Sequence, residues 1–284
     1  LIKLMDSKNS LVIAYHGSCI DGYFSSFMFL LGLKASNGVD GLIHYLDWYF
    51  RESISGKKYD HKPKSNTYVM NQEFYDEKFE NVNFYETRYQ KDLTEIIQEI
   101  KDLSLVSGTQ SKKTLLLLDY TFSHLKEYEE LEKAYDQIYV IDHHDFVISS
   151  MEIKDSTNPH QISANTFLLI DLKESGVTLA VKVLGELLGE FKEFTRLNSY
   201  VKSYDTKKPF DSDTEAVASF IIPIIKGQYI GFSNLFEIFT QTNEEILNIG
   251  RQKVEEIKKR SDEAMGNVQQ ITIKTKSRDV VCYF

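Results

Sequence analysis

Short runs of aliphatic, β-branched and aromatic residues punctuate the chain at LVIAY (11–15), VNFYE (82–86), TLLLLDY (114–120), QIYVIDHH (137–144) and TFLLI (166–170), and the segments between them carry helical periodicity. Runs this apolar, separated by helix-length segments, are the pattern of parallel strands buried on both faces. The reading is an α/β fold, a parallel sheet flanked by helices. YFSSFMFLLGL is apolar enough for a buried helix, while KDLTEIIQEIKDL and SHLKEYEELEKAY read as amphipathic ones. GLIHYLDW (41–48) and TYVM (67–70) read as two further strands, and SGVTLAVKVLGELLGE and FKEFTRLNSYVKSYD as two further helices. SISGKKYDHKPKSN (53–66), basic and carrying Pro and Gly, reads as an exposed loop.

The polar stretch DTKKPFDSDTE (205–215) reads as a surface connection. It divides the chain into a first domain over 1–206 and a second part over 207–284. The second part reads as helical, through AVASFIIPII, NLFEIFTQ and a long helix from Glu244 to Met265. QQITIKT and DVVCYF then alternate like the opening hairpin of a smaller α+β domain. Two domains suit 284 residues.

A formal charge of -9, from 33 Lys+Arg against 42 Asp+Glu, argues against a protein that grips long duplex nucleic acid by neutralising phosphates. Short anionic substrates remain open. No apolar run approaches the roughly 18 residues of a membrane span. The two cysteines, Cys19 and Cys282, are far apart and form no disulfide framework, so a reducing compartment is expected. The first residues carry no signal-like or transit-like pattern, which points to the cytoplasm, or to an organelle matrix if a targeting segment has been removed. Tyr and Phe are scattered at core-like spacings rather than gathered into a stacking platform.

Chemistry concentrates where the buried runs end. LVIAY runs into His16 and Asp21, TLLLL into Asp119, and YVI into Asp142, His143 and His144. In an open α/β sheet the crevice beyond the carboxyl ends of the strands is where ligands bind, so these residues should converge. Each alone has an ordinary explanation: a lone Asp is often a helix cap, a lone His a satisfied core residue. Together they form an oxygen and nitrogen donor set suited to a pair of divalent cations about 4 Å apart, able to polarise a phosphoryl group. The mixed charges of GRQKVEEIKKR read as a solvated helix face, and His44, His61, His124 and His160 have no partner motif.

YHGSCIDGYFSS, LLLLDYTFS, YVIDHHDF, SGVTLA and SYVKSYD, in that order, resemble the successive motifs of the DHH phosphoesterase superfamily. The resemblance spans roughly residues 11 to 206. It implies two manganese ions, with magnesium or another divalent ion as substitutes, and hydrolysis of phosphoester bonds in short oligonucleotides or small nucleotides. Carried over, His16 would bind the first metal and Asp21 and His143 the second, Asp119 would bridge both, and Asp205 would be the last acidic ligand. His144 would hold the scissile phosphate, and Asp142 would orient the His143 ring.

Where many members have two aspartates in the first motif, this chain has CIDG, which places Cys19 at the first carboxylate's position. A thiolate there would favour a softer metal. The helix from Glu244 and the strand QQITIKT resemble the linker and first strand of the family's C-terminal domain, but no glycine-rich GGGH-like stretch occurs in these residues. The rival reading is therefore a catalytically inactive DHH-fold protein serving as a structural subunit, oligomer or binding partner in a larger assembly.

Overall fold

The computed structural model describes residues 9–56, 81–89, 91–105, 112–145, 156–188, 192–208, 210–225, 238, 241–266, 270–274 and 279–283. The expected strand TYVM, residues 57–66 of the expected 53–66 loop and most of NLFEIFTQ lie outside these residues, and 53–55 are helical rather than loop.

Six strands form one sheet: β1 (Asn9–His16), β2 (Val82–Thr87), β3 (Lys112–Leu118), β4 (Gln137–Asp142), β5 (Ser156–Gln161) and β6 (Thr166–Ile170), in the order β2-β1-β3-β4-β6-β5. All neighbours pair in parallel except β5, which runs antiparallel to β6 at the edge. The α/β expectation holds, with a mixed rather than purely parallel sheet. The sequence gives no hint of β5, because STNPHQ has no apolar alternation and carries a proline, which sheets tolerate only at an edge or a bulge.

Each central strand is buried on both faces. Leu11, Ile13, Leu116, Leu118, Tyr139, Ile141, Phe167 and Leu169 face one core, and their alternates Val12, Ala14, Leu115, Leu117, Ile138, Val140, Leu168 and Ile170 face the other. The first core is covered by α1 (Ile20–Ala35), α2 (Val39–Ser55) and α5 (Gly176–Leu188), the second by α3 (Leu93–Leu105) and α4 (Leu125–Glu132). This three-layer arrangement explains why the strands read as unbroken apolar runs.

GLIHYLDW is not a strand. It lies within α2, where Val39, Leu42, Ile43, Leu46 and Phe50 recur every three or four residues and are buried. The window of eight residues concealed a helical period that seventeen reveal.

The 205–215 connection is shorter than expected. α6 (Lys192–Thr206) continues through Asp205, and five residues separate its end from the start of α7 (Ser212–Ile225). α8 (Asn243–Gly266) packs against α7 at Gly250, where an added β-carbon would lie 2.0 Å from the Ala216 carbonyl oxygen. β7 (Gln270–Lys274) and β8 (Asp279–Tyr283) form the expected antiparallel hairpin. Among the described residues no helix is long and apolar enough to cross a membrane.

Candidate metal centre

The strand order reverses between β1 and β3: the chain leaves β1 for β2 on one side, then returns to β3 on the other. Such a switch point opens a crevice at the carboxyl ends of the two strands. His16 ends β1, Asp119 follows β3, and Asp142 ends β4 with His143 and His144 just beyond. Cys19 precedes α1 and Asp21 lies in its first turn, while Asp205 lies in the last turn of α6. The eight candidate residues thus come from β1, α1, β3, β4, α6 and the turns that follow the strands.

They converge. His143 Nε2 lies 3.0 Å from Asp119 Oδ1, 3.3 Å from Asp205 Oδ2 and 3.5 Å from Asp21 Oδ2. His16 Nδ1 lies 3.4 Å from Asp119 Oδ2. Ligand atoms of His16, Cys19 and Asp119 fall within 4.8 Å of one another, and so do those of Asp21, His143 and Asp205. Asp119 therefore stands between two donor groups and turns one carboxylate oxygen to each. It holds this place in a left-handed backbone conformation, φ 53°, which is uncommon outside glycine and typical of functional sites.

One expected contact differs. Asp142 Oδ1 lies 2.7 Å from His144 Nδ1 and accepts the backbone N–H of His143 at 2.7 Å, so it orients the ring of His144 rather than that of His143. Consecutive residues leaving a strand point to opposite sides, and only one of two adjacent histidines can turn back to the carboxylate that precedes them both.

The electrostatics follow from four aspartates in a crevice. Burial, reinforced by the charges of Asp119 and Asp205, raises the Asp21 carboxyl well above the usual range. Burial would also raise Asp119, but the contacts of His143 and His16 reverse this and hold it low. Burial alone would depress His143; the hydrogen bond and charge of Asp119, then the charges of Asp21 and Asp142, raise it to about 10. His144 is raised in the same way by Asp142 against its own burial. Burial, with Asp119 and Asp21 adding to it, pushes the Cys19 thiol up. The metal-free centre thus holds a proton on His143 and shifts Asp21 and Cys19 toward their protonated forms.

Two features escaped the sequence reading. The first is Gly176, within SGVTLA. Asp21 accepts the N–H groups of Gly176 and Val177, so its carboxylate caps the first turn of α5, 155 residues away. A β-carbon on Gly176 would lie 2.8 Å from Asp119 Cβ and 2.9 Å from Asp21 Oδ2. Gly176→Ala is expected to destabilise the chain by about 1–3 kcal/mol through overpacking and to separate Asp21 from Asp119. A thermal melt with and without Mn²⁺ checks both, and an unchanged metal response would contradict the second effect.

The second is Tyr89, two residues past β2. Its ring lies 4.9 Å from that of His16 and 5.5 Å from that of His144, and it stacks on Tyr120 at 4.7 Å. β2 is parallel to β1, so the strand-end rule applied to β2 would have found it.

No protein-family model matches the chain, and neither does any curated protein. Among solved structures it is similar to an uncharacterized protein from Helicobacter pylori G27, with 14% identity over 95% of this chain and 73% of that one, at a TM-score of 0.43. It is likewise similar to the DHH domain of a member of the s1p family of ribosomal proteins, with 14% identity over 93% of this chain and 60% of that one, at a TM-score of 0.44.

Proposed function

We propose that this chain is a divalent-metal-dependent phosphohydrolase that cleaves phosphoester bonds in short nucleotides or oligonucleotides. The observation that carries this reading is Asp119, whose two oxygens face two separate donor groups. Buried carboxylates are seldom crowded in this way without a cation to compensate them. Asp119 Oδ2 and His16 Nδ1 are buried yet have no hydrogen-bond partner, as lone pairs directed at an ion would be. The donor set fits: carboxylate and imidazole suit Mn²⁺ or Mg²⁺, and Cys19 would draw a softer ion to the His16 side.

On this reading His16, Cys19 and Asp119 would hold one ion, and Asp119, Asp21, His143 and Asp205 the other. Such ions supply Lewis acidity toward a phosphoryl oxygen and lower the pKa of a water molecule. The chain's own residues do the rest. Asp142 takes the Nδ1–H of His144, which fixes the ring and leaves Nε2 for the substrate. Asp142 raises the affinity of His144 for a proton, which favours the cationic ring whose Nε2–H would donate to a phosphoryl oxygen as charge develops there. Asp21 ties α1 to the first turn of α5, which keeps the ligands of β1 and β3 in register.

The test is incubation of the chain with Mn²⁺ and a ladder of two- to seven-nucleotide RNAs. Mononucleotide release is expected, and His144→Ala should lower it by about 10²–10³ with bound metal retained. A wild-type chain that releases nothing and binds no manganese would overturn the proposal in favour of a scaffold.

A further inference from the structure

We infer that Tyr89 is a positioning residue of the metal centre: braced on Tyr120, its ring holds the imidazoles of His16 and His144 in place and so governs how tightly the ion on the His16 side is bound. The inference rests on the two-ion assignment of the phosphohydrolase reading above, and it adds the residue on which loading of one of the two ions depends.

The backbone that carries Tyr89 is fastened to the backbone that carries His16. β2 runs parallel to β1 with Thr87 opposite His16, and the Gly17 N–H donates to the Thr87 carbonyl at 2.7 Å. Two residues beyond Thr87, the Tyr89 side chain reaches across. Its hydroxyl accepts from the backbone N–H of Thr121, two residues past Asp119, so the side chain spans from the end of β2 to the turn after β3.

Three rings meet there at steep angles. Tyr89 lies 4.9 Å from His16 at 62° and 5.5 Å from His144 at 70°, and the two imidazoles lie 5.9 Å apart at 76°. Edge-to-face contacts at these separations are attractive, and in a closed trio each ring limits the rotation of the other two. Tyr120, buried and stacked on Tyr89 at 4.7 Å, backs the trio. The two imidazoles differ in what else holds them. Asp142 grips His144 through Nδ1 at 2.7 Å, whereas His16 Nδ1 has no hydrogen-bond partner, so what aims the His16 ring is its packing against Tyr89. The contacts that orient a metal-binding imidazole are worth about 10–100-fold in metal affinity. Tyr89 would also serve as a plain cover for Tyr120, and the experiment separates the two roles.

Calorimetric titration of the full chain with Mn²⁺ is expected to resolve two ions in the wild type. Tyr89→Leu should weaken one of them by about tenfold or more and leave the other within about twofold, whereas Tyr89→Phe, which keeps the ring, should stay close to the wild type. His16→Ala identifies the ion concerned: adding Tyr89→Leu to it should weaken Mn²⁺ binding no further, because the imidazole that Tyr89 aims is already gone. Tyr89 is 37% exposed, so its loss opens no sealed cavity and the metal-free chain should stay folded, which a thermal melt reports. Tyr89→Met, a second ring-free variant, should repeat the pattern. Unchanged binding in both ring-free variants, equal weakening of the two ions, a further loss in the double variant, or a wild type that takes up fewer than two ions would overturn the inference. A selective loss in a chain that hydrolyses no oligonucleotide would support the positioning role and remove the hydrolase reading, and hydrolysis by a chain whose two ions are indifferent to Tyr89 would do the reverse.

Discussion

Asp119→Asn is expected to lower Mn²⁺-dependent hydrolysis of short oligonucleotides by about a thousandfold or more, while the chain stays folded. The variant is chosen for its backbone. Asp119 has φ 53°, and asparagine is the side-chain-bearing residue that best tolerates this region, whereas alanine would add strain and confuse a lost ligand with a disturbed turn. The amide keeps the shape but exchanges one oxygen for a nitrogen that carries hydrogens, so one of the two donor groups loses its shared oxygen. It also removes a negative charge from beside Asp21 and Asp205. It also takes away the carboxylate that pairs with the His143 imidazolium, so metal-free Asp119→Asn should melt below the wild-type temperature. Activity, metal content and thermal melts decide the matter together. A variant that keeps more than about a tenth of the activity with both metals bound would show that Asp119 does not serve both groups.

What could be read in advance, and what could not, divides along physical lines. β1, β3 and β4 were legible because a strand buried on both faces must be apolar at every position, and LVIAY, TLLLL and YVI allow little else. The residues at their ends were legible because parallel strands bring their carboxyl ends to one edge. Their meeting around His143 is then a consequence of topology. Where the backbone leaves the sheet, legibility falls. Whether Asp142 reaches the ring of His143 or of His144 depends on a few dihedral angles after β4, which composition does not encode. The pairing of Asp21 with the first turn of α5 is a contact between distant segments, and so is the fit of Gly176 against Asp119. β5 was hidden because an edge strand needs little apolar burial, and α2 because eight residues span only about two helical turns, too few to separate a helical period from a strand-like run.

Metal affinity should rise steeply with pH, because the centre that would bind cations is occupied by protons when metal is absent. His143, raised to about 10, is an imidazolium throughout the neutral range, and buried Asp21 gives up its proton only above the usual carboxylate range. Each must be deprotonated to act as a ligand, so affinity grows about tenfold per pH unit for every proton released. Between pH 6 and 8 the His143 proton alone gives a rise of about a hundredfold. The stability of the metal-free chain runs the other way. A histidine whose folded value exceeds its ordinary 6.5 stabilises fully below 6.5, and that contribution is lost as pH climbs through about 10. A carboxyl raised by burial adds to the same trend, since the unfolded chain sheds that proton first. Raising the pH should therefore lower the metal-free melting temperature and enlarge the increase produced by Mn²⁺. Calorimetric titration in two buffers of different protonation enthalpy counts the protons directly. An affinity that stays flat from pH 6 to 8, with no proton released, would mean that the cation avoids His143 and Asp21 and that the centre assigned here is not where it binds.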